Sequence, residues 1–428
     1  MRLPRFLQGV LPLRTQIVPI ASIMAATAAN NFLTFAINVL AAKNLGVEGF
    51  GIFSLAFSLA TLLGVFGDLG FNLSMVRLFN KYQADPEKQT YVLGSALGFK
   101  VLLLIAVATV SFPLGGVLAR HMGLDPGAQG LFAIALFTGG LLFIWTYFQS
   151  YLQAHRLFRH LAAYILAYMG LRLLFLLVAY RFSSENPMAW LMATYTVPLV
   201  VLAAVGVALK GWGAIMVAVG RPGASFPILK ELLGYGKWVA ISAIAYTAMP
   251  YVVRFILAIR GSLEEVGIFS AGMTFAVAFS TLNTAIRAVL FPQVTAFQEE
   301  QMRAYLARLN RIAPYYAVFV VFGVAGLGLM QWLLLGGEYR TALPVFLVTS
   351  VALAGVIFLG FRTMILHTLM RPEVDAYVNV IRLALTALLA YALVPEFRAP
   401  GAAVAYGLPL LIGEGYMSWY VARRVNNG

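Results

Sequence analysis

The chain alternates long apolar runs with brief polar interruptions. Crossing a bilayer as a helix takes about 20 mostly apolar residues. Twelve runs qualify: 16–42, 50–77, 91–113, 129–152, 160–180, 188–209, 236–259, 265–292, 312–335, 341–366, 376–394 and 399–422. The expected fold class is an all-α integral membrane protein of about twelve transmembrane helices. The longest interruption, 210–235, is too short to hold a soluble catalytic domain.

Composition points the same way. Of the 428 residues, 61% are apolar and only 11% charged, and the mean hydropathy is +0.86. Soluble domains run at about 45–50% apolar and about 25% charged. No soluble fold of this length hides that much apolar surface, because the buried fraction rises slowly with size. Cysteine is absent, which excludes disulfides and thiolate metal sites.

The net charge is +14. A nucleic-acid face would cluster that charge, whereas here the cations are scattered through short loops, as the positive-inside rule requires. No nucleic-acid partner is expected. With the N-terminus inside, the inner segments carry 18 Lys and Arg and the outer loops carry 6. Both termini are therefore expected on the cytoplasmic side of the membrane. Residues 1–15, with Arg2, Arg5 and Arg14, form a basic lead-in, and 423–428 a short tail. No small-residue cleavage site precedes the first full-length span, so the lead-in does not read as a removable signal.

A direct repeat is visible. Glu48-Gly49-Phe50-Gly51-Ile52-Phe53-Ser54 matches Glu264-Glu265-Val266-Gly267-Ile268-Phe269-Ser270 at a shift of 216 residues, and half the chain is 214. Both copies fall at the outer turn between the first and second span of a six-span set. An even number of spans per repeat keeps both halves in one orientation, related by an axis along the membrane normal. The domain expectation is two six-helix lobes, 16–209 and 236–422, around a central cavity and joined by a cytoplasmic linker, 210–235.

Ionisable groups at membrane depth are costly and persist where they face water, a partner or a cavity. Lys100, Arg172, Arg254, Arg287, Arg362 and Arg382 fall within the spans, against two acids, Asp68 and Glu414. The surplus is positive, so a cavity lined by these side chains suits an anion. Arginine suits phosphate in particular, because its planar fork engages two oxygens at once. Arg287, Arg362 and Arg382 lie near span ends, where long side chains also reach the headgroups. Arg172, near mid-bilayer, and Arg254 are the strongest binding candidates. Asp68 reads as a partner for Lys100 on the next span, or as an ion-coupling carboxylate. Glu414 carries the same two readings.

Polar residues recur at helical spacing beside these charges. Asn30, Thr34 and Asn38 stand four apart in the first span, while Ser242, Tyr246 and Arg254 share a face of the seventh. Such stripes either glue helices together or line a cavity; lining is the expectation for Asn30, Thr34, Asn38 and Tyr246. Prolines at 19, 198, 250, 314, 344 and 409 are candidate kinks.

Catalytic signatures are missing. There is no phosphate-binding loop, no zinc-protease motif, and no His or carboxylate cluster at metal spacing. The four His lie in or near loops, and no Ser-His-Asp set can be assembled. An enzyme is not expected, nor a cofactor or metal. A membrane glycosyltransferase or polymerase would need acids at the membrane surface and a sizeable outer loop, and neither stands out in the sequence.

Leu45-Gly46-Val47-Glu48-Gly49-Phe50-Gly51-Ile52-Phe53-Ser54-Leu55-Ala56, followed by Gly67-Asp68-Leu69-Gly70, resembles the start of the polysaccharide flippases of the multidrug/oligosaccharidyl-lipid/polysaccharide exporter superfamily. Val266 to Ala271 and Leu290-Phe291-Pro292-Gln293 fit in the second half. Val47 stands where the family usually has proline, and Val253 where it often has an acid beside Arg254. The resemblance implies a V-shaped pair of lobes that flips undecaprenyl-diphosphate-linked oligosaccharide to the outer leaflet by alternating access, coupled to an ion gradient. It implies an anionic lipid-linked oligosaccharide as substrate, membrane lipids as surroundings, a polysaccharide polymerase and glycosyltransferases as neighbours, and a monomer. The alternative from the same superfamily is a cation-coupled multidrug or metabolite exporter, which has twelve spans but takes cationic cargo.

Overall fold

The computed structural model describes residues 11–427, apart from 69, 123, 125–126, 183–184, 221, 236, 295–296, 298 and 369–371, with side chains from 21 onward except at some positions inside helices. The described residues are almost entirely helical. In chain order the helices are α1 (Leu11–Phe66), α2 (Phe71–Lys81), α3 (Pro86–His121), α4 (Ala128–Ala154), α5 (Phe158–Phe182) and α6 (Pro187–Gly211). Next come α7 (Trp212–Gly220), α8 (Pro222–Tyr235), α9 (Lys237–Arg260), α10 (Leu263–Val294), α11 (Glu299–Leu335), α12 (Ala342–Thr363) and α13 (Pro372–Asn427). Among the described residues, ten helical segments are long and apolar enough to cross a membrane. The chain is a multi-pass membrane protein.

Two of those segments are too long for one crossing. A straight helix of 56 residues would extend about 84 Å at 1.5 Å per residue, against an apolar core of about 30 Å. Both α1 and α13 have this length, and each contains one residue with non-helical backbone: Gly46 (φ 69°, ψ 179°) and Arg398 (φ 50°, ψ −132°). These breaks fall at the turns expected between spans one and two and between spans eleven and twelve. Gly46 takes its left-handed φ without steric cost because it lacks Cβ.

The expected second span, 50–77, is not one helix. It breaks after Phe66 and resumes at Phe71 from Gly70, whose φ is 75°. Gly67 packs so tightly on the Phe143 ring that a Cβ would lie 1.9 Å from it. The Asp68 carboxylate then accepts the backbone N–H of Asn72 in the new first turn (3.3 Å). Conversely, α11 begins well before the expected start at 312.

The described residues of the 210–235 stretch, expected as a linker, are helical. Ile228 and Leu232 of α8 are buried in a cluster with Phe71, Met75, Leu78 and Val92. Glu231 accepts from Lys81 Nζ (2.6 Å) and Tyr82 Oη (2.8 Å). The amphipathic face of α8 thus docks on the first half of the chain.

Helices α1 to α6 pack chiefly among themselves, as do α9 to α13. The principal contacts between the halves run through α1, against α9, α10 and α11. They concentrate at the end of the bundle that carries Gly46. There a Cβ on Gly51 would lie 1.9 Å from the Leu263 carbonyl oxygen, and one on Gly267 would lie 2.0 Å from that of Val47. Only glycine permits such close approach of two helix backbones. Nearby, the Tyr339 hydroxyl donates to the Ala42 carbonyl (2.9 Å) and its ring meets Phe50 edge-on. One continuous apolar core covers this junction, from Ile37 and Phe53 to Val253, Phe269 and Phe346.

Candidate functional site

The described intramembrane cations lie in separate polar settings, and the settings differ in charge. Lys100 on α3 is buried. Its ammonium donates to Asp68 Oδ1 (3.3 Å), Asn72 Oδ1 (2.8 Å) and Thr146 Oγ1 (3.3 Å). The helix break at 67–70 positions this set, because it turns Asp68 and Asn72 toward α3. The partnership expected between Asp68 and Lys100 is present, and Lys100 has no free cationic face for a cargo in this conformation.

Arg382 on α13 is also buried and paired. Its Nη2 donates to Glu414 Oε2 and its Nη1 to Asn379 Oδ1, both at 2.8 Å. Thr363 donates to the other Glu414 oxygen (2.6 Å). Asn379 donates to Ser242 Oγ (2.9 Å), which in turn donates to Asp375. Gly413 makes room for the guanidinium: a Cβ there would lie 2.0 Å from Arg382 Nε. Arg382, expected among the cargo contacts, thus has a carboxylate partner in this conformation.

Arg172 on α5 is 1% exposed and has no acidic partner among the described residues. Its Nη1 donates to Asn30 Oδ1 (3.0 Å) and Thr34 Oγ1 (2.9 Å), and its Nε to the Thr194 carbonyl (2.9 Å). That carbonyl is free because residue 198, four further on, is proline and has no N–H to give. A π-helical turn at Met192–Thr196 accompanies the defect. The guanidinium carbon lies 4.6 Å from the Tyr195 ring centroid and 5.2 Å from that of Tyr168. Nη2 is buried without a hydrogen-bond partner. Asn30 and Thr34, expected to line a cavity, are the side-chain acceptors for this arginine.

Arg254 on α9 is partly exposed and likewise has no acidic partner among the described residues. Its Nε donates to Ser270 Oγ on α10 (3.0 Å) and its Nη1 to Ser58 Oγ on α1 (3.4 Å). It therefore bridges the two halves, about two turns along α1 from Gly51. The two serine-bearing helices repeat each other locally: Ser58 donates to the Ser54 carbonyl (2.6 Å), and Thr274 donates to that of Ser270 (2.8 Å). Each pair is offset by the same 216 residues.

Arg362 donates to Asn310 at an exposed position. The Arg287 side chain lies outside the described residues. Asn38 is partly exposed, and Tyr246 is 41% exposed. Sequence reasoning missed Asp375, Asn379 and Thr363 around Glu414, and Ser58 and Ser270 around Arg254. The first group carried a signal: Asp375, Asn379 and Arg382 stand at i, i+4 and i+7, on one helix face.

Comparison with known proteins agrees with this architecture. The family model described as polysaccharide biosynthesis protein matches residues 19–298. A Shigella flexneri protein assigned as an O-antigen transporter is 20% identical over 400 residues, covering 89% of this chain and 92% of that protein. Among solved structures, an inward-facing multidrug transporter of the MATE family superposes with a TM-score of 0.70 at 14% identity, covering 93% of this chain and 94% of that one. The lipid II flippase MurJ in an inward closed conformation also gives 0.70, at 13% identity, covering 94% and 87%. The chain belongs to the polysaccharide biosynthesis protein family.

Proposed function

We propose that this protein carries an undecaprenyl-diphosphate-linked oligosaccharide from the cytoplasmic to the outer leaflet of a bacterial inner membrane by alternating access. The observation that carries the reading is the contrast in charge between these four sites. Lys100 and Arg382 have carboxylate partners, whereas among the described residues Arg172 and Arg254 have only neutral ones. Two uncompensated guanidinium groups in a low-dielectric interior create a strong attraction for an anion. Arg254, the more exposed of the two, is the phosphate contact in this reading. Arg172, with an unpartnered Nη2, adds positive field from within the first half.

The full reading counts each broken helix, α1 and α13, as two crossings, giving twelve spans in two six-helix lobes with both termini in the cytoplasm. The Gly46 end is then the outer end, and the closed junction there makes this an inward-facing state. The sugar occupies the polar space between the lobes, and the lipid tail stays in the bilayer. Asp68 and Glu414 are candidates for ion coupling, because protonating either would leave its cationic partner uncompensated. A polymerase and glycosyltransferases are the expected partners in polysaccharide assembly, with the flippase itself acting as a monomer.

A drug exporter shares the fold equally well, so charge has to separate the two. Reconstituted protein is expected to move a fluorescent undecaprenyl-diphosphate oligosaccharide across vesicles and to leave a cationic dye untransported. Dye transport without movement of the lipid-linked sugar would reverse the assignment.

A further inference from the structure

Arg254 is bound across the junction between the halves, to acceptors that a phosphate would outcompete. From this we infer that Arg254 is the latch through which a diphosphate cargo opens the outer end of the transporter. The inference rests on the anionic-cargo reading above and adds to it a trigger.

The argument starts from the acceptors. Ser58 and Ser270 are neutral hydroxyls at 3.4 and 3.0 Å from the guanidinium. The Ser58 hydroxyl also gives its proton to the Ser54 carbonyl of its own helix. The arginine is steadied further by the Tyr251 and Phe269 rings, each 5.7 Å from its Cζ. Charge-assisted hydrogen bonds to phosphate are roughly twice as strong as neutral ones, and a phosphate takes the guanidinium fork by two oxygens at once. A diphosphate arriving from the open side therefore displaces the serines.

Displacement has a mechanical consequence. The Ser58 contact ties α9 of the second half to α1 of the first, two turns from the Gly51–Gly267 contact. A ligand shifts a conformational equilibrium only by its difference in affinity for the two states. Here the difference is built in. In the closed state the guanidinium is occupied by Ser58 and Ser270, and in the open state it is free for the cargo. Cargo with no anion cannot make the exchange, so the outer end stays shut without a diphosphate and futile opening is avoided.

The native chain contains no cysteine, so a single Thr61→Cys supplies the only thiol. Thr61 is partly exposed and lies almost one turn beyond Ser58 from Gly51. In right-side-out vesicles, the rate of its modification by an impermeant maleimide reports opening of the outer end. Farnesyl diphosphate, loaded inside the vesicles so that it meets the open side, is the probe, farnesol the uncharged control, and binding is measured in parallel. Farnesyl diphosphate is expected to raise the rate several-fold, and farnesol to leave it unchanged. Arg254→Gln is expected to abolish the rise. Ser58→Ala combined with Ser270→Ala is expected to give a high rate without any probe while binding persists. If the probe binds but the rate does not change, or if Arg254→Gln still responds in full, the latch is refuted. If the probe does not bind the Thr61→Cys protein at all, the anionic-cargo reading fails and the latch with it.

Discussion

Gly51 and Gly267 contact each other's helices reciprocally: the position of a Cβ on each is taken by the backbone carbonyl four residues before the other. Leu263 precedes Gly267 by four, and Val47 precedes Gly51 by four. The contact therefore has local two-fold symmetry, and it joins the two copies of the repeated motif. Replacing either glycine by alanine forces the helices apart. We expect a loss of about 1–3 kcal/mol, typical of overpacking, seen as a lower melting temperature of the purified protein. An unchanged melting temperature in both single variants would show that the junction is looser than described.

Asp68 and Lys100 make a second test. Removing one partner of a buried ion pair costs about 3–5 kcal/mol, whereas replacing both is close to neutral. Lys100→Met and Asp68→Asn should each destabilise strongly, and the double variant should recover most of the loss. If the double variant also transports, Asp68 is a structural partner. If it folds but does not transport, the carboxylate has a coupling role.

Tyr339 crosses between the halves through a single buried hydroxyl. Tyr339→Phe keeps the ring against Phe50 but leaves the Ala42 carbonyl without this donor. The expected cost is about 1 kcal/mol. Amide hydrogen exchange near residue 42 should accelerate in the variant; unchanged protection there would remove this bond from the junction.

The docking of α8 should depend on pH. Hydrogen bonds from Lys81 and Tyr82 hold the Glu231 carboxyl below its ordinary value of 4.5. A lowered folded-state value means that stabilisation is fully present above the unfolded value and is lost as pH falls through the folded one. Lys81 is exposed and Glu231 partly so, so the effect is modest and weakens with salt. Limited proteolysis within 222–235 should be slow at pH 7 and quicken below about pH 4 in wild type. In Glu231→Gln it should already be quick at pH 7. Equal rates in the two proteins at pH 7 would contradict the account.

Much of this architecture is legible in the chain, because lipid solvation imposes length and hydropathy on every span. The breaks at Gly46 and Arg398 fall where polar interruptions predicted turns, and the 216-residue repeat pointed to the place where the halves meet. Asp68 and Lys100 were recognisable as partners because each is costly alone on adjacent spans. What the pattern could not reveal was helix rotation. Arg172 turns inward between Tyr168 and Tyr195 because Pro198 frees the Thr194 carbonyl, and only the packed helices reveal that acceptor. Ser58 and Ser270 look like ordinary small residues until α9 places Arg254 between them. The apolar run 50–77 conceals its break because Gly67 and Gly70 scarcely alter hydropathy.

The central claim is that arginines without acid partners receive an anionic headgroup. Equilibrium binding of a diphosphate lipid to the purified protein tests it most directly, with the corresponding lipid alcohol as control. Wild type is expected to prefer the diphosphate, and Arg254→Gln to weaken that binding by roughly 10- to 150-fold, the equivalent of about 1.5–3 kcal/mol for a charge-assisted contact. Equal affinity for diphosphate and alcohol, or undiminished diphosphate binding in both Arg254→Gln and Arg172→Gln, would contradict the account.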